Sequence, residues 1–287
     1  MRIADRACAA LLLTAGCATA RLDASTRNTL DALKSAKVIK LGYRDSSIPF
    51  SFVSTEGKPA GYTVDICNAV VEGLGNELST GPLRVEWVKL TPETRIDALL
   101  DGTIDLECGS TTSTFSRQER VDFSNFIFLD GATFMSRADA GIRSLEDLSG
   151  KRVAVIGGTT TERALKEAFT KAGVASEIVS VKFNRDGLRA LSDGTADAYA
   201  SDRTILDFLA ASSSQPDRYA VLDRLLSFEP YALMLRRDPG FRLAVNRQLS
   251  RIYRSGVILE IYGKWFGRYG PPSETLRTMY AIFAVPD

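Results

Sequence analysis

The apolar and polar positions of this chain spell one sequence of elements twice. Val38-Ile39-Lys40-Leu41-Gly42-Tyr43 is a β-rich run with a Gly near its end and a polar residue, Arg44, after it; Val153-Ala154-Val155-Ile156-Gly157-Gly158-Thr159 repeats that arrangement. Later in each copy, apolar residues at helical spacing (Ile96, Leu99, Leu100; then Leu188, Leu191) lead to a helix-stopping Gly and a short strand. The connecting segments are nearly the same, Asp101-Gly102-Thr103-Ile104-Asp105 and Asp193-Gly194-Thr195-Ala196-Asp197, and both strands end in polar residues. The shared order predicts a duplicated α/β unit. Open α/β sheets bind ligands beyond the carboxyl ends of their strands. Two facing units would therefore enclose a cleft between Ser110 to Thr112 on one wall and Asp202 on the other.

The remaining periodicity fills in the map. A helix is predicted from Thr63 to Leu74, with Ile66, Val70 and Leu74 on one face, and a strand from Leu83 to Lys89. Thr91-Pro92-Glu93 offers an N-cap and a proline start, which puts Arg95 in a helix's first turn. Thr159-Thr160-Thr161-Glu162 has the capping-box pattern and opens a helix ending at Gly173. From Phe241 to Ile261 the chain reads as helical, with Trp265 and Phe266 as core and Pro271-Pro272 as the stop. The apolar stretch Phe126 to Met135 predicts a crossing to the second lobe, and Tyr231 to Leu235 the return. Two crossings make a hinge.

Composition excludes several classes. At 287 residues, 45% hydrophobic and 25% charged, the chain is an ordinary globular sequence with room for two cores. A net charge of +1, with Lys and Arg scattered singly, lacks the basic footprint of a nucleic-acid binder. Arg2 and Arg6, an apolar stretch from Ala7 to Ala18, and Ala18-Thr19-Ala20 predict a signal peptide over 1–20, with the mature chain starting near Arg21. A second reading takes Thr14-Ala15-Gly16-Cys17 as a lipoprotein box, with Cys17 acylated. Either places the protein outside the cytoplasm, in the periplasm. Beyond the signal only Cys67 and Cys108 remain. In an oxidising compartment they are either a disulfide, worth roughly 4 kcal/mol through loop closure, or two buried thiols.

Glu107-Cys108-Gly109-Ser110-Thr111-Thr112, Arg117-Gln118-Glu119-Arg120-Val121-Asp122-Phe123-Ser124, Gly158-Thr159-Thr160 and Lys264-Trp265-Phe266, in that order, carry a resemblance. Together they resemble the family 3 periplasmic solute-binding proteins of polar amino-acid ABC transporters, and within them the glutamate/aspartate-binding branch. The resemblance covers the chain from about Leu30 to Pro286. It implies a two-lobed α/β fold, the type II periplasmic-binding-protein architecture, in which each lobe is an open sheet flanked by helices. The expected first lobe is 28–132 with 234–287, and the second is 133–233. It further implies a monomer, without cofactor or metal, that captures glutamate or aspartate by hinge closure and hands it to an inner-membrane ABC permease.

The resemblance also implies roles. Arg117, following Ser110, would hold the ligand's α-carboxylate with Thr112, Thr159 and Thr160; a guanidinium fork and free helix amides both suit an anion. Asp202 would meet the α-ammonium. Arg44 and Arg95 would take the side-chain carboxylate. Three guanidinium groups against one carboxylate favour a ligand with two carboxylates and one ammonium. Asn184 stands where that branch places a His; it can donate through its amide but adds no charge, and the chain has no His at all. An alternative is a dehydratase of the same fold acting on prephenate or arogenate. The absence of His removes the commonest general base, and Cys67 with Cys108 makes no zinc site.

Overall fold

The computed structural model describes residues 28–286; the expected signal peptide at 1–20 and Cys17 lie outside the described residues. The chain opens with α1 (Thr29–Ala36), β1 (Val38–Tyr43), β2 (Ser46–Ser47), β3 (Ser51–Val53), β4 (Pro59–Ala60) and α2 (Tyr62–Glu77). It continues with β5 (Arg84–Lys89), α3 (Arg95–Leu100), β6 (Leu106–Glu107), α4 (Phe115–Gln118) and β7 (Asp122–Asp130). The middle of the chain supplies β8 (Ala132–Arg137), β9 (Arg152–Ile156), α5 (Thr160–Ala172), β10 (Glu177–Val181), α6 (Asn184–Asp193), β11 (Ala198–Asp202), α7 (Arg203–Ser212) and β12 (Tyr219–Val221). The last part is β13 (Glu229–Leu235), α8 (Pro239–Ser255), α9 (Val257–Phe266) and α10 (Glu274–Phe283).

These elements form two helix-flanked sheets of one plan, β5-β1-β6-β13-β7 and β10-β9-β11-β8-β12. In each, three parallel strands are followed by one that runs against them, β13 or β8, and then by an edge strand, β7 or β12, that pairs antiparallel with it. The repeated Asp-Gly-Thr segments do the same job in both. Gly102 and Gly194 take φ of 79° and 76°, a left-handed turn that favours glycine and ends α3 and α6. Asp105 Oδ2 then accepts the Lys40 N–H at 2.9 Å, and Asp197 Oδ2 accepts the Arg152 N–H at 2.9 Å. The motif thus ties each helix end to the start of the neighbouring central strand, and so aims β6 and β11 at the cleft.

The chain crosses from β7 to β8 through Gly131, where a Cβ would come 2.7 Å from the Ser227 carbonyl on the other connection. The Leu226 N–H donates to the Ala132 carbonyl at 2.7 Å, so the two crossings are bonded to each other. Glu229 to Ala232 already pair with β7 in the first sheet. The return to that sheet therefore falls before Glu229 rather than at the expected 233–234, because the antiparallel ladder recruits the whole of β13.

The helices close on these sheets. α8 and α10 pack on β7, and α2 packs on α8 and α9. Phe50, Tyr62, Phe128 and Phe266 meet edge-to-face or stacked, in contacts worth about 0.5–1.5 kcal/mol each beyond burial. Phe266 is buried as expected; Trp265 is half-buried, its indole N–H donating to Asp65 at 2.7 Å. Cys67 of α2 and Cys108 after β6 are joined as a disulfide, their Cα atoms 6.2 Å apart. The predicted run from Phe241 is two helices, broken where Gly256 adopts φ 85°. Among the described residues, no helix is long and apolar enough to cross a membrane.

Candidate ligand-binding site

The carboxyl ends of β1, β6, β9 and β11 converge on one cavity between the two sheets. Arg44, Arg95, Ser110, Thr112 and Arg117 line it from the first sheet's side, and Thr159, Thr160, Asn184 and Asp202 from the second's. Every ligand residue expected from the sequence is therefore brought to the same place.

Each side chain is placed by a local cause. Arg44 follows the last residue of β1, its N–H donating to Ser51 Oγ at 2.9 Å, and only 5% of it is exposed. Arg95 is the first residue of α3, which begins after a turn in which the Thr91 and Thr94 hydroxyls bond each other's amides. Its Nη1 donates to Thr111 Oγ1 at 2.7 Å. Arg117 lies in the single turn of α4, where Thr114 accepts its N–H, and its own Nη1 donates to the Thr112 carbonyl at 2.7 Å. Thr159 is the N-cap of α5, accepting the Glu162 N–H at 3.1 Å. The Glu162 carboxylate accepts from the Gly158 amide at 2.9 Å, one residue outside the standard capping box.

Opposite walls touch through polar groups. Thr112 and Thr160 hydroxyls lie 3.3 Å apart, and both donate to Glu229 Oε2, the second at 2.7 Å. Asp202 accepts from Thr161 at 3.0 Å and from the Tyr231 hydroxyl. Asn184 is only 1% exposed, and its amide is already engaged. Its Nδ2 donates to the Ser46 carbonyl at 2.9 Å, and its Oδ1 accepts from Tyr199 at 2.5 Å. Its side chain joins the walls, which is a different use from the ligand donor expected of it.

Burial sets the electrostatics. It lowers Arg44 to about 10, helped by the neighbouring charge of Arg95, and lowers Arg117 to about 9, again with Arg95 contributing. Arg95 is lowered by burial too. All three remain cationic at neutral pH, and the Nε atoms of Arg44 and Arg95 are buried without a hydrogen-bond partner among the described residues. Burial first, and then Glu229, raises Asp202 to about 6; burial and Asp202 push Asp130 well above the usual carboxylate range. The tally of three cations against one anion is therefore incomplete, since Glu107 and Glu229 are buried here as well. Glu107 sits in the quoted Glu107-Cys108-Gly109-Ser110 run and was within reach of sequence reasoning. Glu229 was not: it meets Thr112 across 117 positions of chain, and nothing local marks it.

This geometry, a cleft lined with buried charged side chains between two sheets of one plan, has relatives. Residues 39–268 match the family described as bacterial extracellular solute-binding proteins, family 3. The chain belongs to that family. This solute-binding protein is 39% identical over 246 residues to the "L-glutamate/L-aspartate-binding protein" of Pseudomonas aeruginosa, a match covering 85% of this chain and 82% of that protein. It is 34% identical over 286 residues to the "Glutamate/aspartate import solute-binding protein" of Escherichia coli K12, covering 97% and 95%. Among solved structures, an ancestral amino acid-binding protein described as a precursor of cyclohexadienyl dehydratase superposes with a TM-score of 0.73 at 30% identity, covering 83% of this chain and 99% of that one. These curated relatives carry the names of solute-binding proteins.

Proposed function

We propose that this solute-binding protein captures glutamate or aspartate outside the cytoplasm and delivers it to an inner-membrane ABC permease. The observation that carries the reading is the meeting of Arg44, Arg95 and Arg117 with Asp202 in one cavity between the sheets. Arg117, with Thr112, Thr159 and Thr160, holds the α-carboxylate at the start of α5, where helix amides favour an anion. Asp202 takes the α-ammonium. Arg44 and Arg95 take the side-chain carboxylate in bidentate fashion. A ligand without that second carboxylate leaves buried guanidinium charge unmatched, which costs several kcal/mol.

The bonded crossings at Gly131 and Leu226 act as the hinge, and the protein works as a monomer whose lobes close on the ligand. The names of the relatives support the ligand class and the import role. Mass spectrometry of the small molecules released on denaturing the exported protein tests the reading. Glutamate or aspartate in near-stoichiometric amount is expected; recovery of only neutral or basic amino acids overturns it.

A further inference from the structure

Glu107 is fully buried in β6, at the register position facing Gly42 of β1 and Met234 of β13. Neither of its carboxylate oxygens has a hydrogen-bond partner among the described residues, a costly arrangement for a charge unless opposite charge lies close by. Gly109 shows what does lie close. A methyl group there would overlap Glu107 Oε1 and stand 3.1 Å from Arg44 Cγ, so the carboxylate and the Arg44 stem share the space over one glycine. Glu107 is also the foremost opposing charge that holds up Arg44, Arg95 and Arg117 alike against the lowering effect of their burial, and only Arg44 shares the space over Gly109 with it.

We propose that Glu107 is the buried counter-charge of the Arg44–Arg95 pair, cancelling one of its two positive charges so that the cavity requires a single negative charge from the ligand's side chain. The inference rests on the acidic-ligand reading and sharpens it. Two guanidinium groups alone would leave one charge unmatched even when a carboxylate is bound; with Glu107 the side-chain end of the cavity closes to neutrality. Glu229 and Asp202, unlike Glu107, are met by hydroxyl donors, Thr112 and Thr160 on the first and Thr161 and Tyr231 on the second. Glu107 touches no ligand in this account. It is a positioning residue that sets the potential at the side-chain carboxylate, and its glycine neighbour is what lets it approach.

Two readouts test it. In the first, glutamate and glutamine are titrated calorimetrically into the wild-type protein and Glu107→Gln. The difference between these ligands reports the potential at the side chain, so removing the buried negative charge raises the glutamine-to-glutamate Kd ratio by about tenfold. A ratio unchanged within twofold overturns the proposal, because a merely structural role would weaken both ligands alike. The second needs no ligand: a thermal-stability cycle over Glu107→Gln, Arg44→Gln and the double variant. Arg44→Gln is expected to cost less, or to stabilise, when Glu107 is already neutral. Additive effects overturn the proposal. Should Glu107→Gln alone not fold, recovery of folding in the double variant supports the counter-charge, and failure to recover rejects it. A wild-type protein that binds no acidic amino acid defeats the functional reading by itself, while the stability cycle still decides on Glu107.

Discussion

Asn184 of α6 donates its Nδ2 to the Ser46 carbonyl of β2 at 2.9 Å, joining the two walls of the cleft directly. The bond forms only while the walls are together, so it adds to closure whatever ligand is inside. Asn184→Ala should weaken glutamate and glutamine by the same factor, about two- to tenfold for one net hydrogen bond, and leave their ratio unchanged. Calorimetry with both ligands checks this. A selective loss of glutamate would return Asn184 to the role of ligand donor.

Arg44 and Arg95 should behave otherwise. Arg44→Ala removes one of two cations from the side-chain end but leaves Arg117 and Asp202 in place, so glutamate is expected to weaken by about tenfold or more while glutamine changes less. Arg117→Ala should abolish binding of both, since each presents the same α-carboxylate. Titrating the two variants with the same two ligands separates the assignments.

The pH dependence follows from Asp202. Its carboxyl rises from 3.8 to about 6 on burial beside Glu229, so the folded protein takes up this proton before the unfolded chain does. A carboxyl raised on folding contributes stability at low pH that is lost as the pH climbs from about 4 to about 6. Ligand binding has the opposite sense, because the α-ammonium needs the carboxylate. Affinity should be greatest above about pH 6 and fall by up to tenfold per unit below it. Burial, and then the charge of Asp202, push Asp130 in the same direction. Dissociation constants measured between about pH 5 and 8 check the trend, and Asp202→Asn should flatten what little binding remains.

The Cys67–Cys108 bridge ties α2 to the segment that carries Ser110 and Thr112. Reduction, or the paired change Cys67→Ala and Cys108→Ala, should lower stability by about 2–4 kcal/mol with a smaller effect on affinity. Denaturant melts with and without reductant measure it.

Much of this was legible in the sequence wherever the cause was local. The left-handed turns at Gly102 and Gly194, the Thr159 cap and the apolar faces of α2 and α5 are set within a few residues, and so the duplicated plan could be read directly. The helix break at Gly256 was missed because the apolar spacing continues through it. Likewise α10 begins just past the Pro271-Pro272 stop, capped by Ser273. The return crossing was misplaced because β13 is fixed by pairing with β7, a contact between distant parts of the chain. The same distance hid Glu229 and the Asn184–Ser46 bond. The arginines were legible as a set only through the family pattern, since a lone Arg is more often a solvated surface charge.

The central claim is that three guanidinium groups and Asp202 select a dianionic α-amino acid. It is tested most directly by calorimetric titration of the ligand-stripped wild-type protein with glutamate, aspartate, glutamine and arginine at neutral pH. The account predicts saturable one-to-one binding of glutamate or aspartate, at least about tenfold tighter than glutamine, and none of arginine. Binding of arginine or glutamine as tight as that of both acidic amino acids would contradict it.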